Sequence, residues 1–208
     1  MIGHSKDRSA VSLGVRTHAA HGAHKGGWAT YVVLGGQVSE PSMLLRGRMR
    51  LCDSAIEGSE QPFHHAALLG LNSGEAFIDR CRKSSRKMAA RALEEIISSH
   101  GALRGCCVLA GPERLLPPLR TILASHALQH AAEREFYREA VRVAAARKGV
   151  ATALLVETDL PRLAERLPGA EASRRERLGA YGKLVGPPWG QDEKFAATAA
   201  WLGLAMAA

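Results

Sequence analysis

Two short apolar segments next to glycines constrain the fold of this chain more than any other feature. They are residues 104–110 (RGCCVLA) and 150–156 (VATALLV), and long helical patterns separate and follow them. Apolar runs of this length are typical of buried strands, and strands that alternate with helices favour parallel βαβ units. We therefore predict that both segments are central parallel strands of one sheet.

The first fifty residues have a different pattern. They are rich in β-branched and aromatic residues, and parts of them alternate between apolar and polar positions. Residues 11–15, 28–34 and 43–51 have the composition of strands. Three strands before the first long helix exclude a doubly wound sheet. We predict an α/β fold with a five-stranded mixed sheet, in which three antiparallel strands are followed by βαβ units and helices flank the sheet.

Apolar residues at helical spacing indicate the helices. We expect a long helix that is capped by Asn72 or Ser73 and ends at Gly101. The segment 52–71 before it has no regular pattern, and a second long helix is expected over 129–148. Shorter helical patterns lie directly after Pro117-Pro118, at residues 160–167, at 171–184 and beyond Pro188.

Composition limits the class of protein. The 208 residues are 46% hydrophobic, which suits one folded domain over residues 11–208; residues 1–10 are polar and are expected to be flexible. No apolar run approaches the roughly 18 residues of a membrane span, so we expect a cytoplasmic protein without membrane association.

The four cysteines form no CxxC pair, which favours reduced thiols. The net charge of +8 is compatible with a polyanionic partner.

Two short stretches and the last helical segment carry a family resemblance. Leu13-Gly-Val-Arg-Thr17 is followed by a loop and by Gly27-Trp-Ala-Thr-Tyr-Val-Val33, and residues 191–204 are rich in small residues. Together with the order of elements, these stretches resemble the bacterial Holliday junction resolvase family of the ribonuclease-H-like superfamily. The resemblance implies the five-stranded fold predicted above and a nuclease site with two divalent metal ions between clustered carboxylates.

The catalytic acids of that family are largely missing. The first-strand aspartate falls at Arg16, and the acid that closes the fourth strand falls near Ala110 and Gly111. In the last helix Asp192 is retained, but Phe195 stands where the second acid is expected. Because a guanidinium repels a divalent cation, we expect a binding or structural module rather than a two-metal nuclease, and no cofactor.

The alternative is a divergent metal-dependent nuclease. Glu157 and Asp159 follow the last predicted strand, and Asp192 and Glu193 begin the last helix. Ligands in α/β folds collect at the carboxyl ends of strands, so these four acids are the candidate catalytic residues and would bind Mg²⁺ or Mn²⁺. The other interpretation is that they stabilise helix N-termini.

A basic stripe on the first long helix is the candidate nucleic-acid-binding surface. It consists of Arg80, Lys83, Lys87 and Arg91, which share one helical face. Such a stripe either contacts phosphates or is simply a solvated face. Nucleic acid is therefore the candidate partner, and the sequence is also compatible with a homo-oligomer.

Several histidines have no assigned role. They are His18, His21 and His24 in a Gly/Ala-rich loop, the pair His64-His65, and His126 and His130 on one helical face. Imidazoles at these spacings either bind a transition metal or make polar loop and helix contacts. The sequence leaves this choice open.

Overall fold

The computed structural model describes residues 10–19, 26–112 and 115–206. Within them lies a five-stranded mixed sheet in the order β3-β2-β1-β4-β5. Its strands are β1 Val11–His18, β2 Trp28–Gln37, β3 Glu40–Arg50, β4 Gly105–Ala110 and β5 Ala151–Val156. The first three strands are antiparallel, β4 runs parallel to β1, and β5 runs parallel to β4. The predicted five-stranded mixed sheet is therefore confirmed.

The prediction that both glycine-flanked segments are central is wrong for the second one. β4 lies between β1 and β5, but β5 forms an edge of the sheet. Of its six residues only Leu155 is buried, and Leu154 is 48% exposed. An apolar run cannot distinguish an edge strand from a central one, because the neighbours of a strand are set by the rest of the fold.

The helices cover the predicted helical segments and one further segment. They are α1 Pro62–Leu69, α2 Leu71–His100, α3 Leu119–Leu123, α4 His126–Arg147, α5 Leu160–Ala164, α6 Glu171–Val185 and α7 Gln191–Met206, with a 3-10 turn at Glu157–Asp159. Among the described residues, no helix has the length and apolar character needed to cross a membrane.

Two helix starts differ from the predictions. Residues 62–69, expected to be irregular, form α1, which has Pro62 in its first turn. Gly70 then adopts a φ of 78° and is the N-cap of α2, so the expected caps Asn72 and Ser73 lie inside the helix. The left-handed conformation, which glycine adopts without steric cost, lets the chain turn between two helices without a loop.

The helices form two layers on opposite faces of the sheet. One apolar core combines residues of α1, α2 and α4 with Leu13 and Val15 of β1. The other core combines α7, including the buried Trp201, with residues of β2, β4 and β5 that face the opposite side of the sheet, among them Val32, Leu109 and Leu155. All four cysteines are free and buried, and the adjacent Cys106 and Cys107 lie in different cores, as expected for neighbours on a strand.

Helix α7 lies directly against β1, and this contact positions the candidate site. A Cβ atom at Gly14 would lie only 1.9 Å from the carbonyl oxygen of Ala196. Further along, a Cβ at Gly203 would lie 2.1 Å from Oγ of Ser12, so the helix runs antiparallel to the strand. The N-terminus of α7 therefore lies at the carboxyl end of β1.

Candidate functional site at the carboxyl edge of the sheet

Three elements bring charged side chains to one edge of the sheet. Arg16 lies near the end of β1, Glu157 follows β5 directly, and Asp192 is the second residue of α7. Because β1, β4 and β5 are mutually parallel, their carboxyl ends meet at this edge. Side chains that are up to 176 positions apart in the chain therefore become neighbours.

The guanidinium of Arg16 is held between the two carboxylates. Its Nε donates to Oε1 of Glu157 at 3.0 Å and its Nη2 donates to Oε2 of the same carboxylate at 2.8 Å. Its Nη1 donates to Oδ1 of Asp192, and the ring of Phe195 lies 5.3 Å from the guanidinium carbon. Bidentate hydrogen bonds between arginine and a carboxylate are among the strongest polar interactions in proteins. The arrangement is thus a partly buried ion triad.

The triad does not suit the two metal ions that the resolvase resemblance implies. The hydrogen bond with Glu157 is the main cause that raises the pKa of Arg16, so its charge is permanent. At about 4 Å and an effective dielectric of about 20, two unit charges interact by roughly 4 kcal/mol, and a divalent ion doubles this repulsion. A cation between these carboxylates would have to displace Arg16.

A row of aromatic and basic groups continues from the triad towards β3. The ring of His18 stacks on Trp28 with 3.8 Å between centroids, and its Nε2 lies 3.5 Å from Oδ2 of Asp192. The guanidinium of Arg48 lies 4.4 Å from the Trp28 ring centre. Burial lowers the pKa of His18, and Arg16 and Arg48 lower it further against the opposing effect of Asp192. His18 is therefore neutral near pH 7.

The other two candidate acids have separate partners. Asp159 pairs with Arg162 at 3.2 Å on the surface. Glu193 is buried and accepts a hydrogen bond from the backbone N–H of Gly190 at 2.8 Å, which stabilises the start of its own helix. The structure therefore brings Glu157 and Asp192 together, but it places Asp159 and Glu193 elsewhere.

The basic stripe is exposed along its whole length. Its residues are Arg80, Lys83, Lys87 and Arg91. Within the described part of the chain, no acidic side chain forms an ion pair with any of them, whereas the adjacent Arg82 and Arg86 are paired with Asp79 and Glu139. The charge of the stripe is therefore available to an external anion.

The stripe reaches the edge strand of the sheet. Arg91 lines a shallow cleft of about 240 Å³ together with Arg48 and Arg50 of β3. Arg48 also covers Trp28, beside the triad. Basic groups thus extend from α2 around the β3 edge towards Arg16.

Reasoning from the sequence missed the neighbours of the triad. The sequence indicates only that Trp28 and Arg48 lie on strands and that the alternation within residues 43–51 puts Arg46, Arg48 and Arg50 on one side. The missing information was the register, which pairs Trp28 with Arg50 and Thr30 with Arg48. His21 and His24 lie outside the described residues.

Comparison with known proteins adds evidence on the fold. The sequence matches no protein-family model, and no curated protein matches it. Among solved structures, it is similar to RuvC of Thermus thermophilus in complex with a Holliday junction substrate, with a TM-score of 0.52 and 13% identity over 93% of this chain and 91% of that one. A second Thermus thermophilus RuvC structure has a TM-score of 0.50 and 12% identity, and covers 92% of each chain. This likeness establishes that the chain has the ribonuclease-H-like fold of the resolvases.

Proposed function

We propose that this protein is a nucleic-acid-binding module of ribonuclease-H-like fold that does not cleave its ligand by two-metal chemistry. The position of Arg16 carries the proposal, because its guanidinium lies between Glu157 and Asp192 and already forms an ion pair with each of them. An arginine stays protonated at any workable pH. A change of pH therefore does not free the two carboxylates for a metal ion.

The basic stripe supports phosphate binding. Eleven helical positions separate Arg80 from Arg91, which is roughly 16 Å at about 1.5 Å per residue. This length equals the rise of about five base pairs along the axis of a duplex. One of the similar solved structures holds a Holliday junction, so branched DNA is the first ligand to test.

We expect branched and duplex DNA to bind with a steep salt dependence that charge reversal of the stripe removes. Each phosphate contact contributes about 0.9 to the slope of log K against log salt concentration. The variant Lys83→Glu, Lys87→Glu and Arg91→Glu should therefore lose about 2–3 from the slope and at least about 100-fold in affinity at low salt. Fluorescence anisotropy at several salt concentrations measures both quantities.

A matched control separates a local surface from the overall charge. The control variant replaces Arg147, Arg166 and Lys183 with glutamate. These residues are exposed and lie outside the stripe, and their replacement changes the net charge by the same amount. It should leave at least about half of the affinity, since these residues make no phosphate contact under the proposal. Equal losses in both variants, or no binding by the unmodified protein at low salt, would show that the stripe is a solvated face.

We also expect no Mg²⁺- or Mn²⁺-dependent cleavage of branched DNA, RNA–DNA hybrid or single strands. The physical reason is the repulsion between Arg16 and a divalent cation. The second candidate, a divergent nuclease, is supported by the convergence of Glu157 and Asp192 on one group. Gel assays with purified protein distinguish the two. Cleavage that disappears in both Glu157→Gln and Asp192→Asn would favour the nuclease.

A further inference from the structure

Three histidines from two helices meet on the face of the sheet opposite α7. His64 belongs to the first turn of α1, and His126 and His130 lie one turn apart at the start of α4. One ring nitrogen from each histidine lies within 4.8 Å of one ring nitrogen from each of the other two. The ring centroids are 4.5 to 5.0 Å apart. Across the described ranges, no other group of three metal-ligating side chains is this close.

A buried carboxylate holds one of the rings in a defined state. Glu133 is fully buried, and its Oε1 lies 2.8 Å from Nδ1 of His64. The same oxygen accepts the backbone N–H of His64 at 3.4 Å. This contact favours the tautomer with its proton on Nδ1, so the lone pair is on Nε2. In the described structure, Nε2 of His64 is buried and has no hydrogen-bond partner.

Glu133 also approaches His130. Among the described residues its second oxygen, Oε2, is buried without a hydrogen bond and lies 4.0 Å from Nδ1 of His130. A dication bound to the other nitrogen of His64 would polarise the Nδ1–H group towards the carboxylate. Carboxylate–histidine–metal chains of this kind are common at metal sites.

We propose that His64, His126 and His130 form a binding site for a divalent transition-metal ion of the zinc type, with Glu133 as the positioning residue behind His64. Three imidazoles suit zinc, cobalt, nickel or copper, whereas magnesium requires oxygen ligands. Three protein ligands leave a fourth tetrahedral position for water, on the solvent side where His126 is exposed. The proposed site shares no residue with the ion triad or with the basic stripe.

The geometry requires only side-chain movement. With metal–nitrogen bonds of about 2.0–2.1 Å, tetrahedral ligand atoms lie roughly 3.3 Å apart. The ligand atoms here lie within 4.8 Å of one another, so rotation of the rings, chiefly of the exposed His126, brings them into range. The helix spacing is already correct, because residues four apart share one helical face.

Metal titration of the full-length protein after chelator treatment tests the site. We expect one Zn²⁺ per chain, measured by competition with a colorimetric chelator, and the visible absorption bands of four-coordinate Co²⁺ when cobalt is added. His126→Ala and His130→Asn should weaken Zn²⁺ binding by more than about 100-fold, and Glu133→Gln by about 10- to 100-fold. Because His126 is exposed, its variant should keep the circular dichroism of the unmodified protein.

Two controls locate the metal. His100→Ala, at the end of α2, should bind Zn²⁺ within about twofold of the unmodified protein, as should the double variant His21→Ala and His24→Ala, because none of these residues belongs to the cluster. The proposal is overturned if the unmodified chain binds neither Zn²⁺ nor Co²⁺ at micromolar concentration. The proposal is equally overturned if His126→Ala binds zinc as tightly as the unmodified protein does. The same holds if the double variant His21→Ala and His24→Ala loses zinc binding while the variants of the cluster keep it.

Discussion

Replacing Arg16 with aspartate is expected to make the stability of this protein depend on divalent cations. The Arg16→Asp variant loses the guanidinium that pairs with Glu157 and Asp192 and adds a third carboxylate beside them. Breaking a buried ion pair costs about 3–5 kcal/mol; these side chains are 22 to 31% exposed, so we expect about 2–3 kcal/mol in the absence of metal. Three converging carboxylates are suitable ligands for Mn²⁺.

Thermal unfolding with and without Mn²⁺ measures this effect. At a cation concentration about 100 times the dissociation constant, binding stabilises the folded state by about 2.7 kcal/mol, which raises the melting temperature by roughly 5–10 °C for a chain of this size. The melting temperature of the unmodified protein should rise by less than about 1 °C when Mn²⁺ is added, because its carboxylates are paired with Arg16. Arg16→Gln, which removes the charge without adding an acid, is the control. An equal Mn²⁺ response in all three proteins would contradict the assignment of Arg16.

Adding one methyl group at Gly14 is expected to destabilise the whole fold. The new Cβ would lie 1.9 Å from the carbonyl oxygen of Ala196 and 2.5 Å from the backbone nitrogen of Ala200. Both contacts are with the backbone of α7, so rotation of a side chain cannot relieve them. Overpacking usually costs about 1–3 kcal/mol, and we expect Gly14→Ala to cost about 3 kcal/mol or more.

The control for Gly14 is a glycine with free space around it. Apart from its chain neighbours and the backbone of its own helix, a Cβ at Gly179 on α6 meets no described atom within 4 Å. Because alanine has the higher helix propensity, Gly179→Ala should be neutral or stabilise the protein by up to about 1 kcal/mol. Urea unfolding compares the two variants with the unmodified protein. A Gly14→Ala midpoint equal to that of the unmodified protein would show that α7 does not lie against β1.

The candidate site was predictable only in part, because its residues are far apart in the chain. The family resemblance aligned Arg16 and Asp192 with metal-binding positions, and the position of Glu157 after a strand placed it at the same edge. The side-chain partners did not follow from these positions. Asp159 and Glu193 had the same local signal as Glu157 and Asp192, yet Arg162 and the backbone of Gly190 are their partners.

The histidine cluster shows the same limit. The spacing of His126 and His130 predicted that they share a helical face, and α4 confirms it. His64 lies more than sixty positions earlier, in a segment without a regular sequence pattern. Its approach to Glu133 depends on the packing of α1 against α4, which no local pattern encodes.

Local sequence determined the kind and order of the main secondary-structure elements, because apolar periodicity, glycines and prolines act over a few residues. It also determined the charge of the exposed α2 stripe, since residues at helical spacing share a face whatever lies opposite. Only the tertiary structure decided that β5 is an edge strand and that Arg16 is held between Glu157 and Asp192. Strand order and long-range ion pairs depend on how distant elements pack, and a charged side chain forms its pair with whichever carboxylate that packing brings within reach.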